Sequence, residues 1–220
     1  MSAAAATPSR RIHNAAMLPH SFIYLASQSP RRRQLLDQLG VAHRPLLPDK
    51  AENAEQLEEE RSGELPADYV RRVTLAKLLL ARQRLARRGL PEAPILCADT
   101  TVAAGRRILG KPPDAEGAAA TLRLLSGRTH RVLTAVAVSA GRHTFLETSV
   151  SRVKMAVLSE GTIRRYVESG EPFGKAGAYA VQGRIAAWIE HIEGSYTGVM
   201  GLPLFETTRL LSRAGVLMNL

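Results

Sequence analysis

The chain has 220 residues, of which 45% are hydrophobic and 23% are charged, a composition typical of a globular protein with a substantial buried core. Its one cysteine, Cys97, excludes an intrachain disulfide and favours a reducing compartment, the cytoplasm. The formal net charge of +10 indicates an anionic partner such as a nucleic acid, an acidic lipid or a nucleotide, and no stretch is apolar enough to span a membrane.

The N-terminal segment differs in composition from the rest of the chain. Residues 1–20 are rich in alanine and contain Arg10 and Arg11, but they lack the apolar core of a signal peptide. We therefore expect a disordered extension over residues 1–20 and a single domain over residues 21–220, either compact or divided into two lobes around a cleft.

The most informative segment joins a predicted buried strand, Phe22 to Ala26, to a predicted helix. Ser29 suits the N-cap position, and Pro30 suits the first helical position. Hydroxyls and arginines surround this helix start, where free backbone N–H groups and the helix dipole favour a polyphosphate. The alternative is an ordinary strand–helix junction with a solvated basic turn.

The segments that follow alternate between strand and helix patterns, with an acidic loop from Glu52 to Glu60 between them. A short apolar segment, Val41–Leu47, comes first. In chain order, the patterns then predict a helix over Pro66–Arg88, a strand over Ile95–Ala104, a helix over Asp114–Ser126, a strand over Val132–Ser139, one or two strands over Thr144–Val157, a helix over Ser159–Ser169, a strand over Ala186–Ile192 and a helix over Pro203–Arg213. This alternation predicts an α/β fold with a largely parallel or mixed sheet.

Asp99 interrupts a run of apolar residues that predicts a buried central strand. Aspartate is disfavoured in strands, and a buried carboxylate is costly unless it is paired with a cation or holds a metal. Asp99 is therefore a candidate catalytic or metal-binding residue. The alternative is a turn at the end of the strand.

Two lysines are candidate phosphate ligands. Lys77 shares the apolar face of the predicted long helix, where it either extends along the surface to water or meets an anion in a cleft. Residues Gly105–Lys111 nearly match a phosphate-binding P-loop, but Pro112 replaces the hydroxyl residue that would hold Mg²⁺. We reject the P-loop and retain Lys111, which follows the Asp99 strand.

Gln182 lies near the end of a glycine-rich segment, Gly170 to Gly183. Its amide carries both a donor and an acceptor and is suited to contact the edge of a nucleotide base. A surface glutamine on a flexible loop is the alternative. The sequence contains no motif of a zinc hydrolase or a serine hydrolase.

Taken together, these segments resemble the Maf family of nucleoside triphosphate pyrophosphatases. The matching motifs occur in family order from about Phe22 to Leu211: Ser27-Gln28-Ser29-Pro30-Arg31-Arg32, Glu52, Lys77, Ala98-Asp99-Thr100, Gly110-Lys111-Pro112, Leu125-Ser126-Gly127-Arg128-Thr129-His130, Gly174-Lys175-Ala176-Gly177-Ala178-Tyr179, and Gly194-Ser195-Tyr196 with Gly201-Leu202-Pro203. The resemblance implies an elongated mixed β-sheet flanked by helices with a central cleft, in a homodimer. It also implies metal-dependent hydrolysis of a nucleoside triphosphate to the monophosphate and pyrophosphate, in nucleotide-pool housecleaning or in cell-division arrest.

Within the family, the chain is similar to the branch that hydrolyses dTTP and UTP. The resemblance implies Asp99 as the proton acceptor and, with Glu52, as a ligand of Mg²⁺ or Mn²⁺. The residues around Glu52 depart from the family pattern, because Ala51 stands before it in place of an acidic residue. The other implied roles are base specificity for Arg31, Thr100 and Gln182, and phosphate binding for Ser29, Arg32, Lys77 and Lys111.

Two functions of other classes stay open. A basic nucleic-acid-binding module predicts affinity for DNA or RNA that falls steeply with salt and needs no metal. A regulator of cell division predicts activity in cells that does not depend on turnover. The enzyme predicts pyrophosphate release that requires a divalent ion.

Overall fold

One mixed, open sheet organises the chain in a computed structural model that describes residues 19–49, 52 and 55–218. Its strands in this part of the chain are β1 (Ile23–Leu25), β2 (His43–Pro45), β3 (Ile95–Ala104), β4 (Arg107–Leu109), β5 (Thr129–Ala140), β6 (His143–Met155) and β7 (Ile189–Glu193). The helices are α1 (Pro30–Gln38), α2 (Pro66–Arg87), α3 (Ala115–Leu125), α4 (Glu160–Glu168), α5 (Tyr196–Met200) and α6 (Leu204–Arg213). Short 3₁₀ turns occur at Glu55–Glu58, Ala176–Ala178 and Arg184–Trp188.

The strands follow the order β2-β1-β3-β5-β6-β7, and β4 pairs with β3 off this path. β1 runs parallel to β2 and β3, whereas the remaining pairs are antiparallel. The predicted α/β fold with a mixed sheet is therefore confirmed. The long antiparallel pairing of β3 with β5 places Asp99 opposite Ala135 and Thr100 opposite Thr134.

Alternate residues of the central strand β3 contact helices on opposite faces of the sheet. Leu96 belongs to a buried cluster with side chains of α1 and α6, whereas Cys97 belongs to one with side chains of α2. Because successive strand residues point to opposite faces, both faces of β3 are covered. This double covering explains why β3 reads as a continuous apolar run in which only Asp99 and its threonine neighbours are polar.

A further buried cluster packs α3 and α4 against the sheet, with Leu122 and Leu125 from α3 and Ile163 and Tyr166 from α4. α3 begins as the sequence predicts, because the Asp114 carboxylate accepts a hydrogen bond from the Gly117 N–H at 2.7 Å. The division into two lobes stays a prediction.

The predicted N-terminal extension lies mostly outside the described residues, which begin at residue 19. His20 is described, and its backbone pairs with the C-terminal segment: its N–H donates to Gly215 O at 2.8 Å, and its carbonyl accepts from the Leu217 N–H at 3.0 Å. His20 therefore belongs to the folded part of the chain.

The segment near the end of the chain differs from its prediction. The predicted strand over Ala186–Ile192 begins later, because Arg184–Trp188 forms a 3₁₀ turn that buries Ile185. The short helix α5 was not predicted, and the Ser195 hydroxyl caps its start by accepting a hydrogen bond from the Gly198 N–H. Among the described residues, no helix combines the length and the apolar character that crossing a bilayer requires.

Candidate active site

A cleft of about 890 Å³ opens between the start of α1, one side of α2, the middle of β3 and the glycine-rich segment. All of the residues that the sequence singles out for a site line this cleft: Ser29, Arg31, Arg32, Glu52, Lys77, Asp99, Thr100, Lys111 and Gln182. The structure therefore brings together side chains that are widely separated in sequence.

Asp99 lies within β3 and not at a strand end, so the alternative of a terminal turn does not apply. The residue is 8% exposed, and its Oδ1 accepts a hydrogen bond from Lys77 Nζ at 2.6 Å. The ammonium group of Lys77 therefore supplies the cation that a buried carboxylate requires.

Lys77 projects from α2 into the cleft, where its ammonium group meets two carboxylates. Nζ donates to Asp99 and, at 2.7 Å, to Oε1 of Glu58. Burial lowers the pKa of Lys77, but the attraction of Asp99 and Glu58 outweighs burial and raises that pKa overall. Lys77 is therefore a fixed positive charge inside the cleft.

Glu58 is a site residue that the sequence analysis did not single out. Its carboxylate bridges two lysines, with Oε1 accepting from Lys77 and Oε2 from Lys111 at 2.7 Å. Burial raises the pKa of Glu58, but the two lysines lower it overall, so the carboxylate is ionised. The Tyr69 hydroxyl donates to the Glu58 backbone carbonyl at 2.8 Å and anchors the turn to α2. The sequence carried one signal for this residue, the acidic loop, which contains several equivalent glutamates.

Glu52 lines the same cleft but faces a different set of cations. Its carboxylate accepts hydrogen bonds from Arg84 Nε at 3.0 Å and from Arg87 at 2.7 Å. The hydrogen bonds from Arg84 lower the pKa of Glu52 to about 2. In the described part of the chain, no hydrogen bond or ion pair joins Glu52 to Asp99. Glu58, and not Glu52, shares a cation with Asp99.

The arginines at the start of α1 are held by the carboxyl end of α5. Arg32 Nε donates to Gly201 O at 2.7 Å, and Arg31 Nε donates to Met200 O at 3.3 Å. Arg32 also donates to Thr100 Oγ1 at 3.3 Å. Burial lowers the pKa of both arginines, yet a guanidinium keeps its charge in proteins. Two oriented positive groups thus stand beside β3.

Ser29 occupies the N-cap position of α1 without making a side-chain capping bond in the described structure. Its own N–H donates to Ser27 Oγ at 3.2 Å. The Ser29 hydroxyl lines the cleft at the positive end of a nine-residue helix. This placement is suited to an anion, as the sequence predicts.

Gln182 lies exposed at the edge of the cleft on a tight turn. The Gly183 N–H closes the turn on Ala180 O at 2.8 Å, and the Glu171 carboxylate accepts from the Arg184 N–H at 3.0 Å. Lys175 also lines the cleft, and burial lowers its pKa, with a smaller contribution from the charge of Arg31. The sequence analysis placed Lys175 in a motif without assigning it a role.

The cleft contains donors for a divalent cation, although no group of three or more His, Cys, Asp or Glu side chains among the described residues is arranged to hold one. Asp99 and Glu58 are two carboxylates that contact the same ammonium group. Magnesium binds through one or two carboxylates together with substrate phosphates and water. The pair therefore fits an ion that arrives with a phosphorylated substrate.

A family model and several known proteins match nearly all of the residues that the structure describes. A family model described as "Maf-like protein" matches residues 22–214. The chain is 60% identical over 194 residues to a dTTP/UTP pyrophosphatase of Albidiferax ferrireducens, covering 88% of this chain and 97% of that protein. It is also similar to proteins of that name from Polaromonas sp. (59% over 195 residues, covering 89% and 96%) and Cupriavidus metallidurans (60% over 198 residues, covering 89% and 98%).

Proposed function

The chain belongs to the Maf family, and from that premise we propose that it is a nucleoside triphosphate pyrophosphatase acting on dTTP and UTP. The products are the nucleoside monophosphate and pyrophosphate. The observation that carries the proposal is the convergence of lysines, arginines and two carboxylates on one cleft. Similarity at about 60% identity to pyrophosphatases of matching length supports it.

Positive groups on two sides of the cleft bind the triphosphate. Lys77 and Lys111 lie 2.7 Å from Glu58, and Arg32 projects from the start of α1 beside Ser29. These groups neutralise the phosphate oxygens and hold the chain of phosphates in line. Positioning and charge stabilisation provide most of the catalysis in phosphoryl chemistry.

Hydrolysis begins when a water oxygen attacks the α-phosphorus. The Asp99 carboxylate accepts the proton of that water, and the bond from the α-phosphorus to the oxygen bridging to the β-phosphorus breaks. Pyrophosphate leaves with the electron pair of that bond. Lys77 orients Asp99 through its 2.6 Å hydrogen bond, which aims the carboxylate into the cleft.

We assign the metal-binding role to Glu58 together with Asp99. The sequence-based assignment to Glu52 is less suitable, because Glu58 meets Asp99 at the shared ammonium group of Lys77, whereas the hydrogen-bond partners of Glu52 are Arg84 and Arg87. Mg²⁺ or Mn²⁺, when bound, supplies positive charge against the phosphate oxygens. Arg31, Thr100 and Gln182, which line the same cleft, contact the base.

The quaternary structure and the cellular location are further parts of this proposal. The resemblance to the family favours a homodimer, which light scattering coupled to size-exclusion chromatography tests directly. Nucleoside triphosphates are cytoplasmic metabolites, so we place the activity in the cytoplasm.

The decisive test is pyrophosphate release by the purified full-length protein. We expect release from dTTP and UTP in the presence of Mg²⁺ or Mn²⁺, and none with a chelator. Asp99→Asn is nearly isosteric and removes the proton acceptor, so kcat is expected to fall by a factor of about a hundred or more, with little change in KM. A variant that hydrolyses dTTP near the parent rate contradicts the role of Asp99, and a parent that releases no pyrophosphate contradicts the function.

A further inference from the structure

We infer that Thr134, a buried threonine of β5, fixes the direction of the Thr100 hydroxyl hydrogen so that Thr100 can only accept a hydrogen bond from a base. The inference rests on the proposed function and deepens it, because it assigns the selection of uracil and thymine over cytosine. Thr134 acts through Thr100 and is a positioning residue.

The Thr134 hydroxyl has one fixed partner. Thr134 is 1% exposed, and its Oγ1 lies 2.7 Å from the backbone carbonyl oxygen of Gly198 in α5. A carbonyl oxygen only accepts, so Thr134 is the donor. A hydroxyl carries a single hydrogen, and this contact uses it.

The second contact of Thr134 therefore has one possible direction. Thr100 Oγ1 lies 3.0 Å from Thr134 Oγ1, and because Thr134 has no hydrogen left, Thr100 must donate. Arg32 donates to Thr100 Oγ1 at 3.3 Å and occupies one of its two lone pairs. Hydrogen bonds thus run in one direction from Arg32 through Thr100 and Thr134 to Gly198.

The chain of hydrogen bonds from Arg32 to Gly198 is held in place by regular secondary structure. Thr100 and Thr134 are directly paired residues of β3 and β5. Gly198 is held in α5 because its N–H donates to the capping hydroxyl of Ser195 at 2.9 Å. The Gly198 carbonyl also accepts from the Gly201 N–H at 3.0 Å. Reversing the hydrogen bonds would nevertheless hold Thr134 Oγ1 and the Gly198 carbonyl oxygen 2.7 Å apart with no hydrogen between them, and two acceptor oxygens repel at that distance.

One lone pair of Thr100 is left for a molecule in the cleft, and its partner must be a donor. Uracil and thymine carry a hydrogen on ring nitrogen N3 between two carbonyl oxygens. Cytosine carries a bare lone pair on N3. An acceptor aimed at N3 therefore pairs with uracil or thymine and repels cytosine, while the Arg31 guanidinium, which lines the same cleft, is a donor suited to a flanking carbonyl.

The test compares kcat/KM for UTP with kcat/KM for CTP in each protein. In Thr134→Val the Thr100 hydroxyl is released and can rotate to donate to N3 of cytosine, so we expect the UTP-to-CTP ratio to fall about tenfold, a change of about 1.4 kcal/mol. Thr134→Ser keeps a hydroxyl and retains the parent ratio. Both substrates are measured on one preparation, so the folded fraction cancels from the ratio.

Thr207→Val is the matched control, because Thr207 is a buried threonine in α6 whose hydroxyl lacks a hydrogen-bond partner within the described chain. We expect its ratio to equal that of the parent. The inference is overturned if Thr134→Val keeps the parent ratio, if Thr134→Ser loses as much selectivity as Thr134→Val, or if the parent itself does not distinguish UTP from CTP. A parent that hydrolyses neither UTP nor dTTP refutes the proposed function instead.

Discussion

At the scale of single residues, the acidic loop contains two glutamates with different surroundings. Glu52 accepts hydrogen bonds from Arg84 and Arg87, and Arg84 is itself only 4% exposed. Glu58 instead bridges Lys77 and Lys111 in the cleft. Glu52 therefore fastens the loop to α2, whereas Glu58 holds its charge beside Lys77, the lysine that also contacts Asp99.

Removing the two charges is therefore expected to affect different properties, the activity in the case of Glu58 and the stability in the case of Glu52. Glu58→Gln is expected to lower kcat at least about tenfold, because a proposed metal ligand is lost while the turn stays anchored through Tyr69. Glu52→Gln is expected to leave kcat close to that of the parent but to lower the free energy of unfolding by on the order of 1–3 kcal/mol, because buried Arg84 loses a charged partner. Steady-state kinetics and thermal unfolding of both variants check the pair. A large loss of kcat in Glu52→Gln alone would restore the original sequence-based assignment.

At the scale of elements, the 3₁₀ turn Ala176–Ala178 connects the glycine-rich segment to the backbone beside Lys111. The Gly177 N–H donates to the Gly110 carbonyl at 3.1 Å, directly before Lys111. Gly177 has φ of 71°, and a Cβ at that position would lie 2.8 Å from the side chain of Val102 in β3. Only glycine satisfies both the left-handed backbone and the close approach to the strand.

Two glycine substitutions separate these two requirements. Gly174 has φ of 70° with open space around its position, so Gly174→Ala introduces backbone strain alone. Gly177→Ala introduces the same strain and also the overlap with Val102, which adds about 1–3 kcal/mol of destabilisation. We expect its melting temperature to lie about 2–10 °C below that of Gly174→Ala, and its KM for UTP to rise because Gly110 and Lys111 move. Equal melting temperatures in the two variants would contradict the packing argument.

At the scale of the whole molecule, ion pairs within the fold neutralise part of the large positive charge. Ion pairs join Arg84, Arg87 and Arg88, in and just after α2, to Glu52 of the acidic loop or to Asp49, which precedes that loop. Guanidinium groups engaged in this way are less available to a nucleic-acid backbone. The charge that remains oriented into the cleft favours a compact anion such as a nucleotide.

A cleft built from distant segments predicts that nucleotide binding stabilises the entire fold. A UTP analogue with an imido bridge between its α and β phosphorus atoms resists hydrolysis and, at a hundred times its Kd, should stabilise the protein by about 2.7 kcal/mol. The melting temperature is then expected to rise by about 5–10 °C.

The control variants compare a lysine inside the cleft with one outside it. In Lys111→Ala, a tenfold loss of affinity at the same ligand concentration would reduce the stabilisation to about 1.4 kcal/mol. Lys154→Ala, in β6, removes a lysine that bonds the Gly127 carbonyl and should keep the full shift. Equal shifts in both variants would show that Lys111 does not bind the phosphates.

The sequence by itself determined the local elements and the candidate residues. The apolar run predicts β3 over Ile95–Ala104 with the bounds that the structure has, and the proline and glycine signals predict α2 to within one residue. These features depend on the periodicity of apolar residues and on capping residues, and a short segment of the sequence contains both signals. The motifs also identified nine of the residues that line the cleft, although not Glu58.

Only the tertiary structure decided which of these residues act together. Several glutamates crowd the acidic loop, and the path of the chain alone brings Glu58 to Lys77 and sends Glu52 to Arg84. The contacts of Thr134 with Thr100 and Gly198 likewise exist only because β5 lies beside β3 and α5 lies against β5. An ion pair or a hydrogen-bond direction depends on distances of a few ångströms between segments far apart in sequence, and no local pattern encodes those distances.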